Sequence, residues 1–255
     1  MQPVALIRRP SPRLAEGIVT HIDRTPVDVE LAFKQHESYV EALRSAGFTI
    51  VEVAPADDCP DSVFVEDTLI VVDNLAIATR PGAPSRRPEV AGSAAAAVDA
   101  GLDLKYVEAP ATLDGGDVLQ VGNTIYVGRG GRTDRLGIQA LRHYVEPLGR
   151  TVVPVPLKAV LHLKSAVTAL PDGTFLVLPD LVPTALFPAV RPVTEEAGCH
   201  VVPLGGDRIL MAASAPQTAE ELRDLGFTPI VVDISEFEKL EGCVTCLSVL
   251  VSGAA

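Results

Sequence analysis

One cysteine of this chain has surroundings that could make it a nucleophile. Cys246 lies in Gly242-Cys243-Val244-Thr245-Cys246-Leu247-Ser248-Val249-Leu250-Val251, at the mouth of an apolar strand. A thiolate there would attack a carbon electrophile and split a difficult hydrolysis into two easier steps. Two other readings compete with that one. Free cysteines are commonly buried core residues, and Cys243 with Cys246 forms a Cys-x-x-Cys pair. A redox pair should open a helix, whose N-terminal dipole lowers the thiol pKa, whereas residues 247–251 read as strand. A zinc site would need a second ligand pair, and Cys59 and Cys199 stand alone.

His162, in Leu161-His162-Leu163-Lys164-Ser165, intrudes at a strand edge. It can move protons near neutral pH, or it is a satisfied surface or core residue. His21, His36, His143 and His200 add no HxxxH or HExxH spacing, so no metal is expected. The acids are harder to dismiss. Asp61, Glu66 and Asp67 bracket Ser62-Val63-Phe64-Val65, a run that should be buried. Carboxylates there need a cationic partner or shifted pKa values, and a bound guanidinium would serve; for Asp61 a solvated loop edge is the alternative. Strict alternation puts Asp61 and Asp67 on one face and Glu66 on the other, so a shared site requires the backbone to bend. Arg80, Arg86 and Arg87, then Arg129 and Arg132, occupy Gly- or Pro-rich turns ahead of helices. Arg87 and Arg129 read as surface charge. Guanidinium forks from two such turns could hold a carboxylate. A zwitterion with a cationic tail suits this distribution.

The elements that must position these groups recur. Apolar, β-branched segments predict strands over 4–7, 49–53, 68–72, 75–79, 118–121, 124–127, 175–178, 209–212, 230–234 and 244–251. Helices are predicted over 28–46, with Asp28 as N-cap, and over 88–100, 133–148, 182–197 and 217–225. Gly47, Gly101, Gly149, Gly198 and Gly226 follow them as stops. Similar short motifs precede or open strands at 60–67, 113–118, 161–167, 204–209 and 242–248, and Gly-Gly-Asp occurs twice, at 115–117 and 205–207. Five ββαβ-like units result, which bury their apolar faces if they close in a ring around one opening. Asp61, Asp114, His162 and Cys246 would then converge. A doubly wound open sheet is the alternative.

The 255 residues, 47% hydrophobic and 21% charged, are expected to form a single domain over 1–255. The net charge of −12 and the absence of Trp exclude nucleic acid as a natural partner and favour a cationic small molecule. No apolar run approaches a membrane span, and residues 1–10 lack a signal-peptide h-region, so a soluble cytoplasmic protein with reduced thiols is expected. A homodimer is compatible with the sequence.

Taken together and in order, residues 60–67, 79–87, 113–118, 161–165 and 245–250 resemble the dimethylarginine dimethylaminohydrolases, guanidino-group modifying enzymes built as five-bladed α/β propellers of the pentein type. The resemblance spans nearly the whole chain. It implies Cys246 as nucleophile, His162 as general acid and base, and Asp114 as the acid orienting that histidine. It implies that Asp61 holds the substrate α-amino group, with carbonyls of Ile18 and Leu240 as further contacts. Glu66 and Asp67 would bind the guanidinium, and Arg86 and Arg132 the α-carboxylate. No cofactor is implied. Glu241 stands where the family often has aspartate. Related arginine deiminases and amidinotransferases typically carry His-x-Asp where this chain has His162-Leu163-Lys164, which favours a methylated substrate. A non-catalytic propeller serving as a binding module is the reading from another class; it would have no need of the cysteine, histidine and acid together.

Overall fold

The computed structural model describes residues 2–251 and consists of five three-stranded sheets. The chain starts with β1 (Val4–Ile7), helix α1 (Val29–Ser45) and β2 (Thr49–Glu52), which pairs parallel to β1. The next sheet is β3 (Leu69–Val72), β4 (Leu75–Ala78), α2 (Val90–Asp99) and β5 (Asp103–Tyr106). A third follows as β6 (Val118–Val121), β7 (Thr124–Arg129), α3 (Arg135–Val145) and β8 (Thr151–Pro156). The fourth has β9 (Val167–Ala169), β10 (Phe175–Val177) and β11 (Val190–Pro192), and the fifth β12 (Val201–Pro203), β13 (Arg208–Ala212), α4 (Pro216–Asp224) and β14 (Thr228–Val232). After α5 (Ser235–Glu238), β15 (Val249–Val251) returns to pair antiparallel with β1, Val4 opposite Val251. In each sheet the middle strand is antiparallel to the inner strand and parallel to the outer one. This is the expected five-bladed α/β propeller.

The core lies in the wedges between blades. Ile70, Val72 and Ile77 of one blade meet Val118, Ile125 and Val127 of the next, and Ile138, Leu141 and Val145 of α3 fill the gap. Likewise α2 supplies Ala96 and Ala97 against Leu6 and Leu69, and α4 supplies Ala219 and Leu222 against Leu176 and Ile209. Helix α1 closes the last wedge with Ala32, Tyr39, Val40 and Leu43. Its N-cap is the expected Asp28, whose carboxylate accepts from the Leu31 amide at 3.0 Å.

The fourth blade departs from expectation. No α-helix forms over 182–197; a short 3-10 turn (Thr184–Leu186), β11 and a second turn (Glu196–Cys199) stand there instead. Pro183, Pro188 and Pro192 deny helical hydrogen bonds to the segment. Tyr126, Phe175 and Phe187 fill the wedge that a helix fills elsewhere, with ring centroids 4.9–5.2 Å apart.

A second correction concerns the repeats. Turns Val65–Thr68, Gly115–Asp117, Leu163–Ser165 and Val244–Leu247 precede the inner strands β3, β6, β9 and β15. Their counterpart in the fifth blade is Glu196–Cys199, not 204–209. Gly205-Gly206-Asp207 forms the β12–β13 hairpin connection, with φ of +95° at Gly205 and +63° at Gly206. The shared triplet therefore does two unrelated jobs. Residues 244–251 are likewise not all strand, since a 3-10 turn occupies the first four. The outer strands β5 and β8 escape the pattern because one face is solvated, and β8 carries Pro154 and Pro156, which an edge tolerates.

Arg8 ties the first blade to the second. It is fully buried just past β1 and donates to the carbonyls of Ala54 (3.0 Å), Ser62 (3.2 Å) and Glu89 (2.8 Å) and to Ser93 Oγ (3.2 Å). Arg8→Met should strand these acceptors and lower stability by on the order of 3 kcal/mol in urea unfolding. The exposed Arg44→Met should change it by less than about 0.5 kcal/mol. Matching midpoints for the two variants would refute the tie.

Candidate active site

The turns before the inner strands meet at one end of the ring. Eight of the ten residues singled out in the sequence line one cavity there: Ile18, Asp61, Asp67, Arg86, Arg132, His162, Leu240 and Cys246. Asp114 lies directly behind His162. The backbone does bend between Asp61 and Asp67, because a turn and then the 3-10 segment Val65–Thr68 replace the extended run. Asp61 and Asp67 face the cavity as a result.

Both ring nitrogens of His162 face acids. Its Nε2 lies 3.0 Å from Asp114 Oδ2, and its Nδ1 is 3.7 Å from Asp67 Oδ1. Burial opposes a charge on the ring, but Asp67, Asp114 and Asp117 outweigh it and raise the imidazole pKa to about 9. His162 is therefore an imidazolium at neutral pH. The other oxygen of Asp114 accepts from the Gly82 amide at 2.8 Å, which fixes the carboxylate plane. For Asp67, burial is again outweighed, first by His162 and then by Arg86, so its carboxyl falls to about 2. Asp67, Asp114 and His162 also lie close enough together to suggest a cation site. The imidazolium proton and the Arg86 guanidinium already supply the positive charge that these acids require.

Arg86 and Arg132 differ. Arg86 is buried and donates to both oxygens of Glu89, to Asp67, and to the carbonyls of Asp61 and Phe64. Of its five N–H groups, one on Nη1 is without a protein acceptor among the described residues. Arg86 chiefly organises the Asp67 turn. Arg132 makes only long contacts, 3.8 Å to Asp114 and 3.5 Å to Thr20 Oγ1. It is the cation with capacity for a ligand carboxylate. Asp61 accepts from the Ile18 amide at 2.9 Å, and burial, opposed by Arg86, raises its pKa.

Glu66, expected beside Asp67 on a guanidinium, is placed elsewhere. It does not line the Cys246 cavity. Its Oε1 pairs with Lys164 Nζ at 2.5 Å, and both line a separate space of about 200 Å³ between the inner strands β3, β6, β9, β12 and β15. Successive residues of a 3-10 turn cannot project to the same side, so Asp67 and Glu66 part company. Burial raises the Glu66 carboxyl to about 8 in spite of Lys164.

Sequence reasoning missed the supports of the histidine. Asp117 accepts from the Leu163 amide at 2.9 Å and so anchors the turn that presents His162; burial raises its pKa to about 6. The signal was the Gly-Gly-Asp triplet, whose glycines have a physical reason. A Cβ on Gly115 would lie 2.0 Å from the Glu66 carbonyl oxygen, and one on Gly116 would lie 2.7 Å from His162 Nδ1 and 2.6 Å from Asp67 Oδ1. Gly116→Ala should displace the imidazole and lower kcat/KM by about 10²-fold, the effect of misplacing a reacting group by roughly 1 Å. Steady-state kinetics at unchanged fold, checked by circular dichroism, measure it. Unaltered turnover would show that the close approach is not needed.

No family model matches the chain. The N(G),N(G)-dimethylarginine dimethylaminohydrolase of Streptomyces coelicolor is 63% identical over 246 residues, covering 96% of this chain and 95% of that protein. The enzyme of the same name from Pseudomonas aeruginosa is 33% identical, covering 95% of this chain and 97% of its own. A structure of the Pseudomonas aeruginosa enzyme, a cysteine-to-serine variant complexed with citrulline, superposes with a TM-score of 0.89 at 31% identity, over 98% of this chain and 99% of that one. On sequence and fold alike, the chain belongs to the dimethylarginine dimethylaminohydrolase family.

Proposed function

We propose that this protein hydrolyses N-methylated L-arginine to L-citrulline and dimethylamine or methylamine through a covalent intermediate on Cys246. The observation that carries the reading is the buried imidazolium of His162, braced by Asp114, on the same cavity as the Cys246 thiol. Arg132 receives the α-carboxylate, helped by the remaining N–H of Arg86. Asp61 and the carbonyls of Ile18 and Leu240 receive the α-amino group. Asp67 holds the guanidinium on this side of the ring, and Glu66 stays with Lys164 on the other.

The hydrogen bond shared with Cys243, then burial and the charges of Glu66 and Asp67, hold the Cys246 thiol well above its ordinary value. A guanidinium lying on Asp67 cancels part of that repulsion, so arrival of the cationic substrate itself favours the thiolate. The thiolate attacks the guanidinium carbon, and His162 protonates the departing amine. Neutral His162 then takes a proton from water, which attacks the S-linked amidinium. Collapse of that adduct releases citrulline and the thiol. Residues 1–255 act as one catalytic unit without a cofactor. No helix among the described residues is long and apolar enough to cross a membrane.

Position 164 bears on the substrate through the acceptor it withholds. Lys164 is committed to Glu66 and offers no acceptor to a second pair of guanidinium N–H groups. Unmethylated arginine would leave donors unpaired, at roughly 1 to 3 kcal/mol each, whereas methyl groups need only apolar contact. Citrulline formation should therefore show a kcat/KM about 5- to 150-fold higher for monomethylarginine or asymmetric dimethylarginine than for arginine. Cys246→Ser should abolish turnover, and Cys243→Ser should retain it. Arginine as the best substrate, with ammonia released, would make the protein a deiminase.

The pH profile tests the acid. At saturating substrate, where the bound guanidinium favours the Cys246 thiolate, kcat should fall as the pH rises through about 9 and the His162 imidazolium is lost. His162→Gly should lack this alkaline limb and lose roughly 10² to 10⁴-fold in rate. A variant that keeps the limb would assign it to another group.

A further inference from the structure

The mechanism leaves Cys243 without a task, yet it is the closest sulfur to the nucleophile. The two cysteines occupy the first and last positions of a turn in which the Cys246 amide donates to the Cys243 carbonyl at 3.0 Å. Such a turn nearly eclipses side chains three residues apart. The Sγ atoms stand 3.3 Å apart, and the Cys243 amide approaches Cys246 Sγ at 3.4 Å. Both residues are buried, at 3% and 6% exposure. Cys199 instead donates to the carbonyls of Ser165 and Glu196. A disulfide requires the sulfurs to close by about 1.2 Å, within reach of side-chain rotation. The objection that this pair opens no helical turn does not hold in the structure, where Val244–Leu247 is one.

Access is unequal. Cys246 lines the substrate cavity and Cys243 does not. The hydrogen bond from Cys246 holds Cys243 well below the usual thiol range, and the buried His200 adds to this against the cost of burial. A small oxidant entering the cavity thus meets Cys246 with a second, thiolate-like sulfur directly behind it.

We propose that Cys243 is a resolving thiol which converts an oxidised Cys246 into a reversible Cys243–Cys246 disulfide. The oxidant is a hydroperoxide. Cys246 hands its proton to the hydrogen-bonded Cys243 sulfur as it attacks one peroxide oxygen; the O–O bond breaks, and the leaving hydroxide takes that proton back as water, giving a sulfenic acid on Cys246 and restoring the Cys243 thiolate. Cys243 thiolate then attacks the sulfenic sulfur, the S–O bond breaks, and the hydroxyl departs as a second water. Two thiols and hydrogen peroxide become one disulfide and two waters. A dithiol reverses the bond by two exchange steps. The nucleophile is silenced for as long as the bond lasts and is spared the irreversible sulfinic and sulfonic stages. The loss of activity rests on Cys246 being the nucleophile; the formation of the bond does not.

The test treats the full-length protein with hydrogen peroxide and weighs the proteolytic peptide that follows Lys239, which contains both cysteines. In the native protein it should be lighter by two hydrogen atoms, activity should fall, and dithiothreitol should restore both. Cys243→Ser, scored against its own starting rate, should recover at least about five-fold less activity after dithiothreitol, and its peptide should carry two or three added oxygens. The native peptide emerging with sulfinic acid, or with both thiols free after inactivation, overturns the proposal. So does recovery of Cys243→Ser equal to that of the native protein. Should the protein prove inactive on methylated arginines, the peptide mass still decides whether the disulfide forms.

Discussion

The carboxylate of Asp67 is the node on which the site depends. One oxygen takes the Arg86 guanidinium, the other takes the Gly116 amide at 2.9 Å, and the His162 ring stands beside it. Three motif turns, each ahead of a different inner strand, are thereby fixed at one point. A buried carboxylate with a cation and a backbone donor is stable; the same group with either removed is a charge without compensation. This asymmetry gives the end of the ring a single arrangement. It also explains the commitment of Arg86, which holds Glu89 and the carbonyls of Asp61 and Phe64 as well and keeps one Nη1 N–H without a protein acceptor among the described residues.

Electrostatic balance in the cavity is tuned to a cation. Asp61, Asp67, Asp114 and Glu89 are four acids against the three cations His162, Arg86 and Arg132, while Glu66 is already paired with Lys164. A guanidinium entering this environment gains from the excess, and the field that attracts it also restrains the thiol until it arrives. Recognition and activation of the nucleophile are thus one electrostatic event. The ion pair of Glu66 and Lys164 lies on the far side of the same turns, where it satisfies a charge that would otherwise face the space between the inner strands.

The candidate reacting groups stood out in the sequence because each broke a local rule, and the resemblance in five ordered motifs supplied the roles proposed for them. Asp61 and Asp67 are acids beside an apolar run, and Cys246 and His162 are polar intrusions at strand edges. What stayed hidden was held by three-dimensional approach. Gly82 donates to Asp114 across 32 residues and Leu163 of the His162 turn donates to Asp117 across 46, and neither separation has a periodic signature. Glu66 shows the limit of motif reading, since adjacency to Asp67 says nothing about which side of a tight turn a side chain takes. The fourth blade shows another: a composition suited to helix was overruled by three prolines and by aromatic rings that fill the same wedge. The Gly-Gly-Asp at 205–207 misled because glycine serves a left-handed hairpin turn as readily as a close approach.

Closure of the ring has a consequence for biosynthesis. Strand β1 finds its antiparallel partner only in β15, and the turn bearing Cys246 leads directly into that strand. While the chain is being made, β1 can pair with β2 but keeps its other edge open until residues up to Val251 have emerged. The pairing that seals the ring therefore also fixes the turn that carries Cys246. A nascent chain that stops before residue 246 lacks both the thiol and the strand that closes the ring.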